Sequence, residues 1–265
     1  MKPELEILDY SVYGNAIDAE SDRLLAAAAE NEGFRTTVRA IALDQEVRPA
    51  AERVWLRYDL RSPGELHWIV GLSERLHAAG HRVFPSALSL VLAGDKWETY
   101  QRLRAVAVPT PPTRLSNDPE RPGYPLMLKR RVSWGGIGNR VLRGASDIAA
   151  TTFSEEDICQ PFIPHQRTWI VPVAGGVELF AIEARRDPGH DGDVRLLSLP
   201  EGGAGLASAA LKALELAAGT ADLMESEQGL LVLEVNSAPR LPYPDLPGAD
   251  LATPMVRAVL KWMED

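Results

Sequence analysis

The first ninety or so residues alternate between segments with strand-like and helix-like hydrophobic patterns. The four strand-like segments are "LEILDYSVY", "FRTTVRAI", "RVWLRYDL" and "HRVFPS", and the two helix-like ones are "AESDRLLAAAAENEG" and "PGELHWIVGLSERLHAAG". Gly33 and Gly80 follow the helical segments as C′ residues, and Pro63 stands at the start of the second. This β-α-β-β-α-β order predicts a small α/β layer with a mainly parallel sheet.

After these residues the chain no longer alternates regularly between strand-like and helix-like segments. A helical segment, "GDKWETYQRLRAVAV", precedes a stretch with six prolines in seventeen residues, 109–125. That density rules out regular structure there and predicts a connection between two lobes. The predicted strands and helices that follow are "LMLKRRVSW", "GNRVLRG", "DICQPFI", the hairpin "TWIVPVAGGVELFAIEARR", the helix "LASAALKALELAAG", the hairpin "ADLMESEQGLLVLEVN" and the amphipathic helix "ATPMVRAVLKWMED".

Composition excludes several classes of function and location. The formal net charge of −9 over 265 residues argues against non-specific nucleic-acid binding. No run of 18 apolar residues exists to span a membrane, and the N-terminus lacks the apolar segment of a secretory signal. Cys159, the single cysteine, cannot form an internal disulfide, so we expect a cytoplasmic protein.

Oxygen-bearing side chains occupy one face of the last predicted hairpin. Glu234 and Asn236 lie two residues apart on a strand and therefore point the same way, about 7 Å apart. Antiparallel pairing would bring Asp222 beside them. Two carboxylates and a carboxamide suit Mg²⁺, which prefers hard oxygen ligands. A salt bridge from Glu234 to Arg240 or Arg195 is an equally good explanation of this spacing.

Glycines and basic residues mark a second segment, "LKRRVSWGGIGNRVLR". Gly135, Gly136 and Gly138 lie between two strands, shortly after Lys129. Glycine lets backbone N–H groups approach a polyanion, and a lysine on the preceding strand adds a charge-assisted contact to phosphate. This is no Walker A loop, since a strand follows the glycines. A solvated glycine-rich hairpin turn is the ordinary alternative.

With the apolar strand end "CQPFI", which would suit an adenine pocket, these segments together resemble the ATP-grasp superfamily, most closely the RimK-like carboxylate–amine ligases. "GDKWETYQRLRAVAVPTPPT" is similar to the family's lysine-bearing helix, "YPLMLKRRVSWGGIGNRV" to its second lysine strand and glycine loop, "CQPFI" to its interlobe hinge, and "AGTADLMESEQGLLVLEVNSAP" to its metal-binding hairpin. The resemblance implies an ATP-grasp fold of α+β lobes behind a small N-terminal α/β domain. The implied domains are 1–94 and 95–265, with lobes at about 110–160 and 161–265.

The resemblance also implies roles for particular residues. Lys96 and Lys129 would contact the ATP phosphates under a loop formed by the three glycines. The adenine would be received around Gln160, Pro161, Phe162 and Ile163. Asp222, Glu234 and Asn236 would hold one or two Mg²⁺ ions, with Mn²⁺ as a substitute. Arg185 or Arg195 would stabilise the tetrahedral oxyanion.

Departures from the family pattern leave the substrates open. Pro161 stands where an acidic residue usually follows the glutamine, Thr168 to Ile170 replace an Asp-x-Arg, and Arg240 replaces the glycine of an N-x-x-P-G turn. The expected partners are a small-molecule or peptide carboxylate and an amine. Trp134, in the glycine segment, suits either a lid or a homodimer contact.

Three classes of function are consistent with these residues. The leading one is an ADP-forming ligase that makes an amide or peptide bond through an acyl phosphate. A second is a kinase of the same fold that stops after phosphorylating a small acceptor. The third is a nucleotide-binding protein without catalysis, which would not need all three metal ligands.

Overall fold

Three β-sheets organise the chain. The structure, a computed structural model, describes residues 2–10, 16–184, 194–196, 198–227, 229–241 and 249–265. Within these ranges the first, second and third sheets have four, four and six strands. None of the helices in the described ranges has the length and apolar character needed to cross a bilayer.

The first sheet is parallel throughout and has the strand order β2-β1-β3-β4. Its elements are β1 (Glu4–Tyr10), α1 (Ala16–Asn31), β2 (Arg35–Ala40), β3 (Arg53–Tyr58), α2 (Pro63–Ala78) and β4 (Arg82–Phe84). Helix α2 begins where Ser62 accepts a hydrogen bond from the N–H of Glu65, and Gly80 follows its end with φ of +93°. The predicted β-α-β-β-α-β layer is confirmed.

Two short helices follow this layer, α3 (Ala87–Gly94) and α4 (Lys96–Ala105). The sequence pattern identified the second but not the first. Asp95 separates them, because it ends α3 in an extended conformation and its carboxylate accepts the N–H of Trp97 as the N-cap of α4. Lys96 is therefore the first residue of a helix whose start is fixed by a side-chain cap.

The second sheet is antiparallel, with the strand order β5-β8-β6-β7. Its elements are β5 (Arg114–Leu115), β6 (Leu126–Arg130), β7 (Arg140–Leu142), α5 (Ala145–Ala149) and β8 (Asp157–Pro161). Strand β5 lies in the stretch predicted to have no regular structure, so that prediction is wrong at two residues. They fall between the prolines and have the free N–H groups that pairing with β8 requires.

The third sheet is also antiparallel, with β12-β11-β9-β13-β14 in order and β10 paired to β9. Its elements are β9 (His165–Ala174), β10 (Val177–Glu178), β11 (Ile182–Ala184), β12 (Val194–Leu196), α6 (Gly203–Ala213), β13 (Ala218–Ser226), β14 (Gly229–Asn236) and the closing helix α7 (Ala252–Trp262). The predicted helix over residues 206–219 is too long. Glu215 has φ of +57°, which ends α6, and β13 begins at Ala218.

The hydrophobic core joins the first and third sheets. One cluster of buried residues includes Ile7 and Trp55 from the first sheet and Val171 and Val256 from the third sheet and α7. The second sheet has a small cluster of its own, formed by Leu126, Leu128, Leu142 and Cys159. The second sheet therefore packs around a small core of its own, and the division at residue 94 stays a prediction.

Candidate active site

The hairpin of β13 and β14 brings the three predicted metal ligands to one face. Asp222 lies directly opposite Glu234, and Thr220 lies opposite Asn236. A register shift after Asp222 leaves Leu233 as an extra residue on β14, a β-bulge. Pairs directly opposite in an antiparallel sheet have Cβ atoms about 5 Å apart, so the two carboxylates are close neighbours.

Two carboxylates in this arrangement favour a cation, because each raises the free energy of the other's charged form. Hard oxygen donors at this spacing fit Mg²⁺. The described residues contain no group of three or more His, Cys, Asp or Glu side chains placed to hold a metal ion. A metal at the hairpin would therefore use two acids, one amide and oxygen atoms from outside the protein.

The cation that Glu234 contacts is Lys96. The ammonium Nζ lies 3.3 Å from Glu234 Oε1, and it donates to the Ser133 carbonyl at 2.7 Å and the Ser133 hydroxyl at 3.3 Å. Of the two arginines proposed for a salt bridge to Glu234, Arg240 pairs with Asp59 instead. The hypothesis that Glu234 forms a salt bridge is therefore confirmed, but the prediction of Arg240 as its partner is wrong.

Lys96, Lys129, Gln160 and Glu234 line a single cavity where α4, β6, β8 and β14 meet. Its full lining is Ala93, Lys96, Thr99, Tyr100, Leu103, Thr110, Lys129, Ile158, Gln160, Leu233 and Glu234. Both Leu233 and Glu234 reach the cavity because the bulge lets successive side chains face one way. The structure thus brings together four predicted site residues from distant parts of the chain.

Sequence reasoning missed several residues of this cavity, including Thr99, Tyr100 and Thr110. Thr99 and Tyr100 follow Lys96 by three and four positions on α4, which places them on the same helix face. That helical spacing was the signal available in the sequence. Thr110 lies in the proline-rich stretch, where no periodic pattern pointed to it.

In the predicted adenine hinge, residues 160–163, some polar groups form hydrogen bonds to other residues of the protein. The buried Gln160 side chain donates from Nε2 to Thr113 Oγ1 at 2.9 Å, and Phe162 donates its N–H to the Pro125 carbonyl at 2.9 Å. Pro161 has no N–H. In this conformation neither Pro161 nor Phe162 offers an N–H to a base, and the role of the hinge stays a prediction.

The segment 133–139, which we call the glycine loop, joins β6 to β7. Gly135, Gly136 and Gly138 have φ of +62°, +73° and +81°. These left-handed conformations disfavour other residues. A Cβ on Gly138 would also lie 2.9 Å from Arg130 Cγ. The glycines are therefore required by the shape of the loop, and their role in approaching phosphate stays a prediction.

The structure does not describe the side chains of the two arginines predicted to stabilise an oxyanion. Arg185 lies outside the described residues. The backbone of Arg195 pairs with Glu183 between β12 and β11, and its side chain lies outside the described part of the structure. Their roles stay predictions.

Comparisons with known proteins agree with this architecture. An ATP-grasp domain family matches residues 93–184. The D-alanine–D-alanine ligase of Bacillus anthracis, solved with ATP, matches with a TM-score of 0.76 at 16% identity, over 100% of this chain and 98% of that one. A RimK domain ATP-grasp protein from Sphaerobacter thermophilus DSM 20745 matches with a TM-score of 0.73 at 18% identity, over 96% and 99%.

A third solved structure, the N5-carboxyaminoimidazole ribonucleotide synthetase of Thermotoga maritima, has a TM-score of 0.71 at 18% identity, over 98% of this chain and 76% of that one. At these identities the likeness is one of fold. Together with the matched domain it confirms the fold and the superfamily resemblance that the motifs indicated.

Proposed function

We propose that this chain, which has the ATP-grasp fold, is an ATP-dependent carboxylate–amine ligase that forms an amide or peptide bond. The observation that carries the proposal is the cavity lined by Lys96, Lys129, Gln160 and Glu234 beside the glycine loop. Two lysines that converge on a cavity with Glu234, whose neighbour across the hairpin is Asp222, suit a triphosphate and its cation. The ligases among the similar structures are consistent with this assignment.

Binding of the nucleotide is assigned to residues of the cavity and the loop. Lys96 and Lys129 would neutralise phosphate oxygens, and the N–H groups around Gly135, Gly136 and Gly138 would donate to them. The adenine would lie against the hinge at 160–163. Closure of the glycine loop would keep water away from the activated intermediate.

Asp222, Glu234 and Asn236 would hold one or two Mg²⁺ ions, with Mn²⁺ as a substitute. When bound, the metal would supply positive charge that neutralises the charge developing on the phosphate during transfer. Lys96 contacts Glu234 at 3.3 Å, so its ammonium supplies part of the positive charge at this hairpin. The same lysine would contact phosphate, because its Nζ reaches both the hairpin and the glycine loop.

The reaction we propose has two steps. An oxygen of the acceptor carboxylate attacks the γ-phosphorus of ATP, and ADP leaves, which gives an acyl phosphate. The amine nitrogen then attacks the acyl carbon, phosphate leaves with the bonding electrons, and the nitrogen loses a proton. Arg185 or Arg195 would stabilise the oxyanion of the tetrahedral intermediate. The protein contributes mostly positioning and charge neutralisation.

We propose that the acid is a small molecule or a peptide carboxylate and that the amine is a second substrate. We also propose that the protein is a cytoplasmic homodimer. The chain's net charge of −9 argues against non-specific binding to nucleic acid. The departures at Pro161, Thr168 to Ile170 and Arg240 lie where the family pattern meets its acceptor site, so the substrates need to be found experimentally.

The test is Mg²⁺-dependent release of ADP from ATP against pooled carboxylates and pooled amino acids. Glu234→Gln serves as the blank. Glu46→Gln, an exposed residue paired with Arg48, is the matched control and should keep full activity. Release that needs both an acid and an amine supports the ligase. Release that needs one acceptor would favour the kinase. ATP binding with no turnover in any pool would point to a peptide or carrier-protein acceptor, or to a binding protein.

A further inference from the structure

We propose that Arg240 is a positioning residue that holds the glycine loop over the nucleotide site through Trp134. The inference rests on the proposed function for the identity of the nucleotide site. It concerns a residue that departs from the family pattern, since Arg240 stands where a glycine is usual. The role therefore has to be argued from the contacts of this chain.

Arg240 sits in a segment that is fixed to the first domain. Arg57, on β3, donates to the Pro239 carbonyl at 3.1 Å. Ser21, on α1, accepts the N–H of Leu241 at 2.6 Å and donates its hydroxyl to the Leu241 carbonyl at 2.5 Å. Both contacts are buried. The backbone on either side of Arg240 is thus anchored, and its side chain starts from a defined position.

The Arg240 side chain bridges the first domain and the glycine loop. Its Nη2 lies 3.7 Å from Asp59 Oδ2, and the Asp59 side chain is only 8% exposed. Its guanidinium carbon lies 3.9 Å from the centre of the Trp134 ring. A planar guanidinium stacks well on an indole while its edge still reaches a carboxylate. One side chain therefore connects Asp59 to Trp134.

The glycine loop needs such a connection. Its internal hydrogen bonds are local, from Ile137 N–H to the Trp134 carbonyl at 3.2 Å and from Asn139 N–H to the Gly136 carbonyl at 3.1 Å. They shape the turn without tying it to the rest of the protein. Lys96 also reaches the loop at Ser133. Because Lys96 is proposed to contact phosphate, the Trp134–Arg240 stack is, among the contacts described for the loop, one that would persist with nucleotide bound.

The experiment compares Trp134→Leu, which removes the stack, with Trp134→Phe, which keeps an aromatic face. Arg240→Lys keeps the charge for Asp59 but loses the planar group. Arg104→Ala, an exposed residue on α4, is the control. The first readout is the rate of tryptic cleavage after Arg140, at the end of the loop, without nucleotide. The second is the KM for ATP against kcat.

We expect Trp134→Leu to speed cleavage after Arg140 about fivefold and to raise the KM for ATP by a similar factor, with a smaller change in kcat. Trp134→Phe should keep both the cleavage rate and the KM close to the wild-type values. Arg240→Lys should give values between those of the Leu and Phe variants. Cleavage in Trp134→Leu equal to wild type would overturn the proposal, as would equal effects of Leu and Phe.

Comparing tryptic cleavage of the Trp134→Leu and Trp134→Phe variants separates this inference from the proposed function. Cleavage is measured without ATP or acceptor, so it reports the loop contact whether or not the protein makes an amide. If no acid and amine pair gives product but the Leu and Phe variants differ in cleavage, the ligase assignment fails and the Arg240 contact stands. Trp134→Leu leaves the Arg240–Asp59 ion pair in place. The proposal can therefore be tested even if Arg240→Lys fails to fold.

Discussion

Asp95 and Arg131 form a bidentate ion pair between the start of α4 and the residues that lead into the glycine loop. Arg131 Nη2 lies 2.6 Å from Asp95 Oδ2, and its Nε lies 3.1 Å from both carboxylate oxygens. The N–H of Lys96 donates to the Arg131 carbonyl at 3.0 Å. The hydrogen bond to Asp95 raises the pKa of Arg131. The pair thereby fixes where Lys96 stands relative to the loop.

Asp95→Asn should lower the free energy of unfolding by about 1.5–3 kcal/mol, because a nearly buried charged partner is lost while the helix cap is kept. The KM for ATP should rise as well, since Lys96 is the next residue. Urea unfolding and ATP titration measure the two effects. Glu20→Gln, which removes a partly exposed partner of the exposed Arg23, should change neither. An unchanged unfolding energy in Asp95→Asn would contradict the role of the pair.

Lys96→Met should lower kcat for ADP release by about 10²–10³, the usual effect of removing a charged group that stabilises a transition state. The variant should stay folded, because the Lys96 ammonium lies at a cavity and not in the hydrophobic core. Steady-state kinetics and circular dichroism test both statements. Lys212→Met, on an exposed position of α6, is the matched control. Activity in Lys96→Met within a few-fold of the control would remove Lys96 from the proposed site.

Gly138→Ala should destabilise the protein by about 1–2 kcal/mol, because φ of +81° disfavours any residue with a Cβ. The added Cβ would also meet Arg130 Cγ at 2.9 Å. Gly135→Ala has similar backbone strain with nothing within 4 Å, so its loss should be smaller. Gly123→Ala, which has open space and no positive φ, is the control for urea unfolding. Equal stability of all three variants would show that the loop relaxes freely.

The Cys159 thiol should make the protein less stable at alkaline pH. Burial raises its pKa from 9.0 to about 11 in the folded state. The unfolded chain therefore loses the proton first, and stability falls as the pH rises from about 9 toward 11. Urea unfolding at pH 8 and pH 10 should show a larger drop for wild type than for Cys159→Ala. An identical drop in both proteins would mean that the thiol does not contribute.

Much of the fold followed from local patterns. The spacing of apolar residues and the placement of Gly33, Pro63 and Gly80 predicted the elements of the first sheet. Errors occurred where tertiary contacts outweigh local preference. Strand β5 forms among prolines because β8 offers it a partner. Helix α6 ends before the predicted residue 219, because Glu215 takes a φ of +57° and the chain then enters β13. In that strand Gly219 lies so near its neighbour that a Cβ would come within 2.5 Å of the Asn236 carbonyl oxygen.

The candidate site divides in the same way. That Asp222 lies near Glu234 and Asn236 could be read from a hairpin with a side-chain period of two. The bulge at Leu233, which sets Asp222 directly opposite Glu234, could not be read, because it depends on how the two strands fit the rest of the sheet. The contact from Lys96 to Glu234 also had no signal in the sequence, and the expected partners were arginines.

By itself the sequence determined most of the strands and helices, the glycine turn, and the shared face of Glu234 and Asn236. Backbone geometry imposes these features within a few residues of the chain. Only the tertiary structure decided that Lys96 meets Glu234, that Asp95 clamps Arg131 and that Arg240 stacks on Trp134. Those contacts join residues far apart in the chain, and they arise only when the packing of the three sheets fixes the distances between side chains.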